Sequence, residues 1–314
     1  MKKKIIIHTP QNEISKNFRY YNYFWFNLIE YLKSKFDVIE DTYFEDANKR
    51  HYPIKLLSDD SEKMMLECEM IIENVESKDF VILSVSDILN STILDHYKNP
   101  HCKKIIFSQY DENNLKKHVY DQKNFDKYSP WIYFPSNVFN IDSLYTKRKN
   151  KTQLFDKFCF WGTSINERKI LTHFEKEYFD WGLPIGDFEK YSDTLINYKV
   201  ALSISGRGEF CYRDIENFGL GIPIIRFEYI NKMYFPLIPN FHYISVERPD
   251  DLIIDRVGEK KHADMILKRF IEVKDDKNFL EFISKNARDY YEKHLTIDNS
   301  IRLTYKILNL NEWE

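Results

Sequence analysis

The residues best suited to chemistry lie close together, in the stretch VALSISGRGEFCYRDIENFGLGIPIIR, Val200–Arg226. An apolar run ends at Ser205. Gly206, Arg207 and Gly208 follow, allowing a tight turn that offers backbone N–H groups and a cation. A helix is expected from about Tyr212, and its N-terminus favours an anion such as a diphosphate. On that helix Tyr212 and Glu216 are four apart, and Arg213 and Glu216 three apart, so one face carries an aromatic, a cation and a carboxylate. Arginine grips phosphate through two parallel N–H groups, and a carboxylate accepts ribose hydroxyls. Gly219 and Gly221 end the helix before Pro223 restarts a strand. Each residue alone has a plain structural reading. Arg213 and Glu216 could form a surface pair worth roughly a few tenths of a kcal/mol, and Gly221-Ile222-Pro223 could be a helix stop. The whole series reads as a ligand site.

Glycine placement supports this location. All eight glycines lie at or beyond Gly162. At the usual ~7% the first 161 residues should hold about eleven. Loops that wrap phosphates need glycine, so a dinucleotide fingerprint or P-loop is excluded from the N-terminal half. A phosphorylated ligand is expected at residues 160–225.

The elements that must position these residues alternate. KIIIH (Lys4–His8) reads as a buried strand, residues 18–35 as an aromatic-rich helix and FDVIE (Phe36–Glu40) as a second strand. Residues 61–76 read as helical. DFVILSVS (Asp79–Ser86), KKIIFS (Lys103–Ser108) and WIYFP (Trp131–Pro135) read as further strands. The polar run 145–157 reads as a linker. A second series starts at FCFWG (Phe158–Gly162), with helices from Asn166 and over Phe188–Tyr198. Strands VALSIS, PIIRF and HYISV follow, then helices over 260–273, 276–294 and 297–310. Strands separated by helices imply parallel sheets covered on both faces. The fold class is therefore α/β: two Rossmann-like domains, 1–150 and 151–314, facing a central cleft, with C-terminal helices closing the structure. The cleft is the default ligand site.

Composition narrows the function. The chain is 43% hydrophobic and 30% charged, enough for a sizeable core in a soluble protein. A net charge of -3 lacks the basic footprint of a nucleic-acid binder. The short basic runs at Lys2–Lys4 and Lys147–Lys149 read as solvated ends and linker. Four scattered cysteines without a CxxC pair suggest neither a zinc site nor a disulfide framework. No apolar run reaches the ~20 residues that span a bilayer, and the apolar part of MKKKIIIHTP is too short for a signal peptide, so a cytoplasmic location is expected. The aromatic content of 16% accompanies abundant Lys, Asn and Ile, which reads as compositional bias rather than as sugar-stacking platforms.

The second half resembles the donor-binding core of GT-B glycosyltransferases, in particular the exostosin and capsule-associated (protein O-glucosyltransferase-like) groups. Those carry an Arg and a Glu on the helix before a Gly-x-Pro strand, matched here by Arg213, Glu216 and Gly221-Ile222-Pro223. FCFWGTSINERKIL is similar to the opening of their second domain, where a Gly-containing turn and a later Arg face the donor phosphates. Gly162, with Thr163 beside it, and Arg168 hold those places. PLIPNFHYISVERPDDL and NARDYYEKHLT are similar to later stretches of the capsule-associated group. The resemblance covers about 155–310 and leaves the acceptor side unmatched.

The resemblance implies transfer of a sugar from a nucleoside-diphosphate sugar, UDP favoured, to an acceptor hydroxyl. No cofactor is required. No metal site is expected either, since Asp-x-Asp occurs nowhere in the chain. Arg168, Arg207 or Arg213 and helix N-termini would stabilise the leaving diphosphate. A general base for the acceptor would come from a strand end of the first half. Asp87 is the first choice, with His8 and Asp111 behind it; Asp87 as a helix N-cap and His8 as a packed histidine are the competing readings. His242, in HYISV, reads as packed. Expected partners are the nucleotide sugar and a glycan, lipid-linked or protein acceptor, with no nucleic acid and with peripheral membrane association left open. Alternatives are a sugar-nucleotide epimerase, a non-catalytic nucleotide-sugar-binding protein, or transfer to a modified DNA base.

Overall fold

A computed structural model describes residues 2–10, 19–43, 70–84, 99–107, 127–130, 140–162, 166–182, 188–204, 209–230, 232–249 and 260–314. The chain is α/β and divides into two compact units. The first comprises Met1–Phe134, Asn231–Tyr234 and Ile297–Glu314; the second comprises Pro135–Ile230 and Phe235–Thr296.

The first unit holds a six-stranded sheet of β1 (Lys4–Pro10), β2 (Asp37–Tyr43), β3 (Met70–Asn74), β4 (Phe80–Ser84), β5 (Cys102–Phe107) and β6 (Tyr128–Pro130), in the order β2-β1-β3-β4-β5-β6. Helix α1 (Arg19–Lys35) turns Phe24, Leu28 and Leu32 inward at four-residue spacing, all fully buried. Its Tyr31 meets Tyr305 edge-on at 5.4 Å.

This sheet is mixed rather than parallel. β3 runs antiparallel to both β1 and β4, while the β1–β2, β4–β5 and β5–β6 pairs are parallel. The reason is connection length. Only residues 75–79 separate β3 from β4, and a parallel crossover needs about a dozen residues. The turn is held by Asn74, whose side-chain oxygen accepts the N–H groups of Glu76 and Ser77. The helix read over 61–76 is therefore corrected: Met70–Asn74 is a strand with all five residues buried, so no polar alternation marks it in the sequence. The strand expected at 131–135 lies outside the described residues.

The second unit carries a five-stranded, wholly parallel sheet: β7 (Phe155–Trp161), β8 (Phe179–Gly182), β9 (Tyr198–Leu202), β10 (Ile224–Phe227) and β11 (Ile244–Val246), in the order β11-β10-β9-β7-β8. Around it are α2 (Ile141–Lys149), α3 (Phe188–Leu195), α4 (Tyr212–Gly219), α5 (Lys260–Val273) and α6 (Lys277–Tyr290). A π-helical turn, Tyr291–Leu295, follows α6, and α7 (Ile297–Ile307) belongs to the first unit. The region read as a linker, 145–157, instead contains the end of α2 and the start of β7. Residues from Asn166 form a 3-10 helix, Asn166–His173. The four-residue edge strand β8 had no counterpart in the sequence reading.

Aromatic rings fill the core of this unit. Phe158 sits 5.1 Å from Phe174, 4.7 Å from Phe179 and 4.8 Å from Phe270. Such tilted and edge-on contacts are the favoured geometry for aromatic pairs. Among the described residues no helix is long and apolar enough to cross a membrane.

Candidate functional site

Because the second sheet is parallel, each connecting helix starts near the carboxyl ends of the strands and returns the chain to their amino ends. Ligands bind at the former. The chain leaves β9 at Leu202 and enters α4 at Tyr212, so the first turns of α4 lie at the ligand end. Gly221, after α4 and before β10, lies at the other.

A buried ionic network fixes the start of α4. Asp214 is fully buried, and its carboxylate accepts the backbone N–H of Cys211 at 2.8 Å, one half of a capping box. The same carboxylate takes the Ser203 hydroxyl and the Arg226 guanidinium, the latter at 3.2 Å. Arg226 also donates to the Glu209 carbonyl at 3.0 Å and lies 3.4 Å over the Tyr229 ring. The Glu209 carboxylate accepts from the Ile230 N–H at 2.8 Å and from Arg248 at 2.9 Å. Ser203, Glu209 and Arg226 thus brace both flanks of the stretch 205–208.

Arg213 and Glu216 lie three residues apart on this helix. The Arg213 guanidinium stands 4.2 Å over the ring of Phe160, near the carboxyl end of β7. Its one protein acceptor among the described residues is the Ile204 carbonyl, at 3.5 Å, and its Nε is buried without a partner. Glu216 is only 5% exposed. Burial pushes its carboxyl up to about 7, against the opposing pull of Arg213 and of a hydrogen bond from Tyr191 on α3. Among the described residues the two charges form no ion pair with each other within 4.0 Å. Among the described residues Arg213 thus keeps one N–H without an acceptor, and the buried Glu216 carboxyl lies one helical turn away. A ligand with anionic oxygens beside hydroxyls would satisfy both.

Gly221 does something else. It has φ +63° and stands where the C′ glycine of a Schellman motif stands: Ile222 N–H donates to the Asn217 carbonyl at 2.8 Å and Gly221 N–H to that of Phe218 at 3.0 Å. Its own carbonyl accepts from Ser284 at 2.6 Å and from Arg148 at 3.2 Å. The structure does not bring Gly221 to the end of the sheet that holds Arg213 and Glu216. A Cβ on Gly221 would sit 2.6 Å from the Tyr145 ring. Gly221→Ala should therefore cost about 2 kcal/mol or more, from left-handed strain plus that clash, read as a lower urea midpoint. An unchanged midpoint would show that the turn relaxes freely.

The other expected site residues are placed unevenly. Gly162 follows β7 at the ligand end of the sheet, and Tyr212 opens α4, half-buried. Arg168 lies on the 3-10 helix, with its side chain outside the described set. Thr163, Ser205, Gly206, Arg207, Asp87 and Asp111 lie outside the described residues. His8 belongs to the first unit, inside β1, fully buried with its Nε2 3.4 Å from Glu73. His242 is packed: its Nδ1 accepts the Ile238 N–H at 2.9 Å, and burial, with His294 nearby, lowers its pKa to about 4. Among the described residues no group of three or more His, Cys, Asp or Glu is arranged to hold a metal ion.

Two neighbours of this helix, Tyr191 and Arg226, are not marked out by the sequence motifs. Tyr191 gave no signal beyond being a polar aromatic on a helix. Arg226 had one: a cation inside the apolar strand PIIRF must be paired if the strand is buried.

No family model matches the chain, and no curated protein does. Among solved structures it is similar to a glycosyltransferase from Rickettsia africae, at 11% identity over 95% of this chain and 82% of that one, with a TM-score of 0.49. It is also similar to sucrose-phosphate synthase from Thermosynechococcus elongatus, at 11% identity over 98% of this chain and 74% of that one, TM-score 0.49. A third is HepE of Anabaena, in complex with UDP-glucose, at 10% identity over 90% of this chain and 81% of that one, TM-score 0.45.

Proposed function

We propose that the chain is a glycosyltransferase. It takes a nucleoside-diphosphate sugar, UDP favoured, on the C-terminal half (151–314) and an acceptor on the N-terminal half (1–150). The supporting observation is the pair Arg213 and Glu216. Arg213, half-buried, keeps a buried Nε–H without an acceptor among the described residues, and the buried Glu216 carboxyl lies one turn away with no ion pair between the two. A diphosphate next to a ribose offers the matching groups in one molecule. The acceptor hydroxyl attacks C1 of the sugar, a new C1–O bond forms, the bond from C1 to the diphosphate breaks, and the hydroxyl proton passes to a base. Asp87 is the first candidate for that base. Arg213 would carry the charge that develops on the leaving diphosphate, helped by the N-terminus of α4. The lack of an Asp-x-Asp pair supports transfer without a divalent ion. The acceptor class is a glycan, a lipid-linked sugar or a protein.

A thermal-shift panel of UDP, GDP, CMP and ADP and their sugar conjugates, with and without EDTA, tests this. One nucleoside diphosphate should raise the melting temperature selectively and equally with EDTA. At a hundredfold excess over its dissociation constant the gain is about 2.7 kcal/mol. No response to any nucleotide would remove the donor site. A sugar altered without any acceptor would point to an epimerase.

A further inference from the structure

Helix α6 is held in the second unit by one face. Leu280, Ile283, Ala287 and Tyr290 are buried there. The opposite face carries Lys277, Asn278, Glu281, Phe282, Lys285 and Asp289, all exposed. Lys277, Glu281, Lys285 and Asp289 stand at intervals of four, so they form one ridge along the helix, with charges that alternate in sign. Among the described residues none of these four side chains closes an ion pair.

Apolar surface flanks the ridge. Phe282 is 46% exposed and meets Phe241 edge-on at 5.4 Å; Phe241 is 38% exposed, and Ile238, in the same turn, 51%. That turn is fixed in place. The Ile238 carbonyl accepts the N–H groups of Phe241 at 3.2 Å and His242 at 2.9 Å, and Arg269 of α5 donates to the Asn240 side-chain oxygen at 3.1 Å. A rigid apolar surface loses little conformational freedom when it is covered.

The order of charges says what fits over it. Turned end for end about its middle, the ridge reads with every sign reversed. Laid antiparallel on a copy of itself, it sets Lys277 opposite Asp289 and Glu281 opposite Lys285, so all four places pair unlike charges. A parallel copy in register would set like against like. Side-by-side packing of such four-residue ridges, at a crossing of about −50°, is the commonest way two helices meet. A two-fold axis lying in the contact plane keeps each flank opposite its own equivalent, so the Phe282 side of one copy would face the Phe282 side of the other. With two basic and two acidic groups, the ridge lacks the positive excess that an anionic membrane selects.

We propose that the outer face of α6, with Phe282 and the turn 238–241, is a two-fold interface between copies of this chain. The interface is independent of the donor site, and the failure of either leaves the other standing.

The test is sedimentation equilibrium of the full chain at about 1–100 μM and low salt, where the wild type should pass from monomer to dimer. Association should weaken as salt rises, because the charge pairs are exposed. Lys285→Glu and Glu281→Lys each set like charges opposite one another at two places, and each should weaken the dimer by roughly tenfold or more. Mixed together, these two variants should associate with each other, since one is acidic at both positions and the other basic. The double variant Glu281→Lys/Lys285→Glu should dimerise like the wild type, a rescue that loss of folding cannot imitate. Phe282→Ser should weaken the dimer by about tenfold with the melting temperature unchanged. A wild type that stays monomeric throughout would overturn the proposal. So would a dimer that survives both reversals and Phe282→Ser, or single variants that fail to rescue each other. A monomer that instead binds phosphatidylcholine–phosphatidylglycerol vesicles, and loses that binding in Phe282→Ser, would give the face to a membrane and end the proposal.

Discussion

Arg213→Ala is expected to weaken nucleotide binding about a hundredfold while moving the melting temperature by only ~2 °C. The first figure follows from charge-assisted hydrogen bonds, worth about 1.5–3 kcal/mol each, of which a guanidinium makes two to a diphosphate; ~3 kcal/mol is about a hundredfold. The second follows from how little of the protein Arg213 holds. Its only carbonyl partner among the described residues is 3.5 Å away, at the outer limit of a hydrogen bond, and its stacking on Phe160 at 4.2 Å is worth about 0.5–1 kcal/mol. Removing the cation also removes the pull that favours the ionised Glu216, whose carboxyl then holds its proton to higher pH and avoids a bare buried charge. Arg213→Lys separates charge from geometry. It keeps the charge but loses the planar fork, so its affinity should fall between wild type and Arg213→Ala. Calorimetry with the preferred nucleotide checks both. Wild-type affinity in Arg213→Ala would take the residue out of the site.

The same residues show why some of the molecule was readable from sequence and some was not. The turn from β9 into α4 was legible because its features are local: an apolar run, a cluster of glycines, then charges at helical spacing. The strong strands β1, β4, β5, β9 and β10 were legible as β-branched runs. β3 was not, because burial on both faces erases the polar alternation that marks a strand, and its acidic and methionine-rich surroundings suit a helix. β8 was too short and too polar to register. The compositional reading of the aromatics missed what the rings do in the fold, since Phe158, Phe174, Phe179 and Phe270 form the centre of a core. The hardest features were those created by chain crossings. Nothing around Tyr191 indicates that it will meet Glu216, twenty-five positions later. Ser203, Asp214 and Arg226 meet only because three successive elements return to one end of a parallel sheet.

Arg148 was misread for the same reason, and it carries the largest expected effect on stability. In sequence it is the middle of Lys147-Arg148-Lys149, a run that reads as solvated. In the fold it is buried at the amino edge of the second sheet. Its guanidinium donates to the carbonyls of Gly221 at 3.2 Å, Ile196 at 3.2 Å, Tyr198 at 2.6 Å and Lys199 at 3.3 Å. One side chain thus fastens α2 to the start of β9 and to the turn after α4. Burial lowers its pKa only to about 10, so it stays charged at neutral pH. Lys147, next to it, makes an exposed pair with Asp193 at 2.6 Å, worth under ~1 kcal/mol. Arg148→Ala should cost about 3–5 kcal/mol, because it strands several buried carbonyls at once. The melting temperature of this chain should then fall by on the order of 10 °C. Arg148→Lys should recover less than half of the loss, since a single ammonium cannot span four carbonyls on two segments. Lys147→Ala should be nearly silent. Urea unfolding of the three variants decides the matter. If Arg148→Ala lost no more than Lys147→Ala, the buried guanidinium would not be what joins these segments, and the turn after α4 would have to be held by Ser284 and the Schellman bonds alone.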